Sequence, residues 1–165
     1  MNSKEQIKEN FKEIIANVGH AVLGVFGDEK SGIPQFSYTI GLSLCGLPEL
    51  IIPCVNPQTA RKILNAIVAD MDDGKKFEAG TTQNEIFKNL PCHLLAVDAD
   101  EVADTMKWIE FVTEKPGASA IHLTVPDANG RMPWESGCGD PGLEQFRIYK
   151  NEILMPTMAQ KSGYN

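Results

Sequence analysis

Six residues of this chain have side chains from which a binding or reactive site could be built. Tyr38, Thr39 and Glu49 lie in the segment FSYTIGLSLCGLPE, and Asp127, Arg131 and Trp134 lie in VPDANGRMPWE. Glu49 follows Pro48 at the start of an apolar run, where a carboxylate is normally unwelcome. There it could act as a general base, accept a hydrogen bond from a ligand or pair with Arg131; equally, it could be a loop carboxylate that accepts backbone N–H groups. Asp127 is the second candidate for acid–base work, and Arg131 has the planar fork suited to holding an anion. Trp134, after Pro133, is either a stacking platform for a planar ligand or a plug beneath the turn.

Other patterns lack the context their chemistry needs. GCGDPG at Gly137 to Gly142 has dinucleotide-loop spacing, but no strand precedes it and Pro141 breaks the turn. GLSLCG around Ser43 misplaces the last glycine of a nucleophile elbow, and no helix follows. In DANG the glycine comes fourth, where a calcium loop needs it sixth, and a tight hairpin explains the residues more simply. His20, His93 and His122 stand singly in apolar strands and read as satisfied histidines, and no zinc spacing joins them to cysteine. No metal site is expected.

The elements that position the candidates can be read from periodicity. Ser3 and Gln6 form a capping-box pattern for an N-terminal helix, with Ile7, Phe11, Ile14, Ile15 and Val18 on one face. Strands are expected at His20 to Gly27 and Gln35 to Leu42, paired as a hairpin. In the second, Phe36, Tyr38, Ile40 and Leu42 alternate with Ser37, Thr39 and Gly41. One face is therefore small and hydroxylated, open to a close approach by backbone or ligand. Leu50 to Val55 reads as a strand, and Asn56 with Pro57 starts a strong helix over Ala60 to Met71. Further strands are expected at Lys76 to Ala79, Cys92 to Val97, Ala120 to Val125, Arg131 to Glu135 and Phe146 to Leu154, and a helix over Asp98 to Val112. Asn129-Gly130 marks a hairpin, and the tail after about residue 155 reads as loose. The sum is one α+β domain over residues 1–165, with a mainly antiparallel, barrel-like sheet and about three helices.

Composition narrows the function classes. A net charge of −7 and three scattered arginines leave no basic stripe for nucleic acid or anionic lipid. No apolar run approaches the ~20 residues of a membrane span, and the first residues have no signal-peptide core. Cys45, Cys54, Cys92 and Cys138 are unevenly spaced and read as free thiols of a cytoplasmic protein.

FSYTIGL, GLPELII, NPQTARKILNAIV and VPDANGRMPWE in this order resemble the bacterial domain-of-unknown-function 4262 family, over roughly residues 19 to 137. The resemblance implies no activity. The order of hairpin, P-E-L strand and helix is also similar to the start of flavin-binding split barrels, an analogy of topology that implies flavin, a phosphate near Asn56, and a homodimer. Two readings follow: a small-molecule-binding domain, with or without catalysis, whose pocket lies between the two segments, or a non-catalytic module that binds a protein or a second copy of itself.

Overall fold

The computed structural model describes residues 3–150. Helix α1 (Ser3–Val18) leads into the hairpin of β1 (Ala21–Val25) and β2 (Phe36–Ile40), and a 3-10 turn (Leu42–Cys45) then leads to β3 (Glu49–Pro53). Helix α2 (Pro57–Asp72), strands β4 (Thr82–Phe87) and β5 (Leu90–Val97), helices α3 (Ala99–Thr105) and α4 (Lys107–Thr113), strand β6 (Ala120–Leu123) and a second 3-10 turn (Gly142–Ile148) complete it. The sheet runs β1-β2-β3-β6-β5-β4. Only β3 and β6, at its centre, are parallel; the other neighbours are antiparallel.

The α+β, mainly antiparallel expectation holds, but the sheet is open and not barrel-like, with β1 and β4 as its edges. Alternation along the strands gives two apolar faces, and each is covered by helices. One holds Tyr38, Ile40, Ile51 and Val97 against α1, α3, α4 and the second 3-10 turn. The other holds Leu50, Ile52, Leu94 and Leu123 against Ala60, Leu64, Ile67 and Val68 of α2. None of the described helices is long and apolar enough to cross a membrane.

Local signals explain the ends of elements. Asn56 caps α2 by accepting from Thr59 N at 2.9 Å, with Pro57 in the first turn. Asp98 does the same for α3, accepting from Glu101 N at 3.0 Å. Where a single helix was expected over Asp98 to Val112, the chain breaks at Met106 (φ −110°, ψ 56°). Met106 is buried, and Tyr38 Oη accepts Trp108 N at 3.3 Å at the start of α4, so a contact from β2 supports the restart.

At three expected strands the described residues differ from the expectation. Lys76 to Ala79 is not a strand; β4 forms from Thr82 instead, because the turn with Asn89 in the left-handed region (φ 61°) sets its pairing to β5. Arg131 to Glu135 forms no return strand. Phe146 to Leu154 begins as a 3-10 turn, held by the Gln145 amide, and its last residues lie outside the described residues, as does the expected loose tail.

Candidate functional site

Glu49 is fully buried at the first position of β3. Its Oε1 accepts Thr39 Oγ1 at 2.8 Å and Leu42 N at 3.2 Å. Its Oε2 accepts Gly41 N at 3.0 Å, Ser43 N at 3.0 Å and Ser43 Oγ at 2.8 Å. Thr39 Oγ1 in turn accepts Leu50 N at 2.9 Å. Backbone amides of a turn converge on the carboxylate, forming an anion nest whose occupant belongs to the same chain. Gly41 makes this possible: its φ is 120°, and a Cβ there would meet Gly19 O at 3.1 Å. With five donors on two oxygens, Glu49 has no lone pair directed at a substrate, and the Arg131 guanidinium faces Asp127 instead.

Asp127 repeats the device in a loop. Its Oδ1 accepts Asn129 N at 2.9 Å and Arg131 N at 2.8 Å, and its Oδ2 accepts Gly139 N at 2.8 Å. Hydrogen bonds from the Gly139 and Arg131 backbone lead the causes that hold its carboxyl below the usual range. The Arg131 guanidinium lies 3.8 Å from Oδ2 and donates to Gly137 O at 3.4 Å, so it closes the loop. The carboxylate gathers the chain into a loop, and this is why the expected return strand is absent.

The six candidates do not form one pocket. Glu49 is paired with Ala120 at the beginning of β6, whereas Asp127 follows the far end of that strand. Tyr38 is a core residue whose hydroxyl is pushed up in pKa by burial. Trp134 packs on the α4 side of the core with its ring edge-on to His93 at 5.5 Å, which is the plug and not an open stacking platform.

A buried network that the sequence pattern did not reveal lies between the two carboxylates. His122, fully buried on β6, donates from Nε2 to Gln145 Oε1 at 3.1 Å and accepts at Nδ1 from Tyr149 Oη at 2.8 Å. Gln145 Oε1 also accepts Val125 N at 2.7 Å, which fixes the amide orientation and hence the imidazole tautomer. Burial pushes the His122 pKa down to about 4, so the ring is neutral and structural near neutral pH. The only signal for it was an apolar strand interrupted by a histidine, and its partners lie more than twenty residues away. Two thiols are similarly quiet, with half-buried Cys54 pushed up to about 11 and buried Cys92 to about 12 by desolvation.

A family model described as "Domain of unknown function (DUF4262)" matches residues 14–139. The chain belongs to the DUF4262 family. The match covers both carboxylate-centred turns of this DUF4262 domain and all six described strands of its sheet. No curated protein and no solved structure gives a significant match.

The concave surface of the DUF4262 domain lies elsewhere, around α2. A cleft of about 390 Å³ is bounded by Val22, Gly24 and Ser37 of the hairpin and by Pro57, Arg61 and Lys62 of α2. A second hollow of about 380 Å³ shares Val22 and Arg61 and continues past His20 and Asn65 to Ile14 and Val18 of α1. His20 Nε2 donates to Asn65 Oδ1 at 2.8 Å, tying the start of β1 to α2. Ser37 belongs to the small hydroxylated face of β2, most of which is buried; the cleft reaches that face only at Ser37, beside Val22 and Gly24 of β1. The open sheet removes the topological basis for a flavin site, and the Asn56 side chain already serves Thr59. Among the described residues, no three His, Cys, Asp or Glu side chains gather as a metal site.

Proposed function

We propose that the domain binds a small anionic ligand in the cleft between the β1–β2 hairpin and α2, without catalysing a reaction on it. One observation carries the reading: two adjacent cations, Arg61 and Lys62, wall a cleft of about 390 Å³ in a chain of net charge −7. Neither forms an ion pair with another described residue. The volume falls within the range of about 300–1,000 Å³ common for ligand pockets. Ser37 and Gln58 add polar atoms to an otherwise apolar lining. Binding is preferred to catalysis because the two acid–base candidates, Glu49 and Asp127, are consumed by backbone hydrogen bonds. The free thiols suit a reducing compartment, and cytoplasmic action is part of the proposal.

The test is a thermal-shift and calorimetric titration with phosphate, pyrophosphate and di- and tricarboxylates. A bound anion raises the melting temperature, by about 2.7 kcal/mol of stabilisation at 100 times its Kd. The shift disappears in Arg61→Gln/Lys62→Gln while the unliganded fold is retained. No shift with any anion at millimolar concentration rules the proposal out.

A further inference from the structure

The two edges of the sheet are built differently, and the difference points to a partner. Edge strands invite pairing, and proteins that remain single blunt them with charges, bulges or proline. Edge β4, TQNEIF, is blunted: Glu85 sits in it, paired to Lys75 at 2.7 Å, and its register with β5 shifts between Gln83 and Phe87. Edge β1 has none of these devices. From Ala21 to Gly27 the sequence AVLGVFG has no charge and no proline, and its pairing with β2 runs without a shift. Among the described residues no strand lies on its outer side.

Large apolar side chains flank this open edge. Phe26, just beyond the strand, is 88% exposed, Val18 at the end of α1 is 67% exposed, and Ile14, one turn before it, is 43% exposed. Ile14 and Val18 also line the hollow that passes along β1 towards Arg61. Together the three side chains expose on the order of 400 Å² of apolar surface. That is about half of the ~800 Å² that each partner contributes to a stable interface, and the strand backbone and the walls of the hollow extend it.

We infer that the occupant of this edge is a second copy of the same chain, joined by antiparallel β1–β1 pairing about a two-fold axis. The strand is self-complementary. An antiparallel two-fold sets uncharged AVLGVFG against itself, brings the α1 apolar residues of both copies to the same side, and places no like charges opposite one another in the ladder. The same operation on β4 would bring its own Glu85 close to a second Glu85. Two six-stranded sheets thereby become one continuous sheet. The hollow shares Val22 and Arg61 with the anion cleft, but Phe26 and Val18 do not line that cleft, so substitutions at those two positions test the pairing apart from anion binding.

The experiment is sedimentation velocity on the full chain across a micromolar concentration series, with hydrogen exchange on the same samples. A concentration-dependent dimer is expected, with β1 amides protected only where the dimer is populated. Val18→Lys/Phe26→Lys, both at exposed positions, is expected to weaken the dimer by at least about 100-fold with an unchanged circular dichroism spectrum. Asn84→Lys on the other edge leaves it intact. A natural chain that stays monomeric overturns the inference. So does a dimer indifferent to Val18→Lys/Phe26→Lys, or β1 protection that does not vary with concentration, which would mean that the same chain covers the edge. A monomer whose β1 is protected only by added extended peptides would assign the edge to a peptide partner instead.

Discussion

Glu49 and Asp127 solve the same problem in two settings. Each is a carboxylate that collects three backbone N–H groups of a turn, but Glu49 does so in the core, with two hydroxyls added, and Asp127 does so in a loop closed by an exposed arginine. Donors stranded in the core have no water to turn to, whereas those of a loop can be rehydrated when it opens. The difference teaches that a carboxylate beside Gly, Ser and Pro can mark a turn held from within as readily as a reactive site. Both side chains are buried, so it is the setting of the turn, core or loop, that decides how much of the fold depends on it.

The contrast can be broken most directly at Glu49. Glu49→Ala leaves buried amides and hydroxyls without an acceptor and is expected to cost about 3–5 kcal/mol in urea unfolding. Glu49→Gln keeps one acceptor oxygen but turns amide hydrogens towards donors, so it remains strongly destabilising. A variant Glu49→Gln as stable as the natural chain would return that residue to the list of reactive candidates.

Acid titration separates Asp127 from the histidine that lies between the two carboxylates. Above its ordinary value of 6.5, His122 is neutral both folded and unfolded, so its contribution is complete. As the pH falls towards about 4, the unfolded chain takes up a proton that the buried ring refuses, and about 3 kcal/mol is lost. Asp127 acts in a lower window: its folded pKa lies below 3.8, so its contribution is present above that value and is lost as the pH falls further. Urea midpoints measured from pH 7 to pH 3 should therefore decline first between 6.5 and 4. A flat profile there would show that His122 is not held neutral.

Smaller effects sharpen the same contrast. Asp127→Ala should unfold less of the molecule than Glu49→Ala, with faster proteolysis and amide exchange confined to residues 127–139 and the sheet still protected. Equal global losses from the two substitutions would erase the distinction between core and loop. Asn56→Ala removes an acceptor for a single N–H on an exposed helix start and should cost about 1 kcal/mol by thermal unfolding. A much larger loss would mean that caps in this fold carry weight irrespective of burial.

The sequence by itself determined much of this. Apolar spacing placed α1 and α2, Asn56-Pro57 marked where α2 begins, and alternation over Phe36 to Ile40 made β2 and its hairpin with β1 legible. The order of four motifs was enough for family membership, and the acidic composition argued against a nucleic-acid surface. These features depend on neighbours within a few positions, so periodicity and cap chemistry report them directly. Tertiary structure alone decided the rest. It halved the helix after Asp98 through a contact from Tyr38, and it gave Gln145, twenty-three residues away, to His122. It set the Glu49 and Asp127 segments at opposite ends of β6, although their compositions suggested one pocket. The cations lining a cleft are Arg61 and Lys62 of α2. Which donors a carboxylate meets, and which helix face borders a hollow, depends on how distant segments pack, and local spacing carries no record of that.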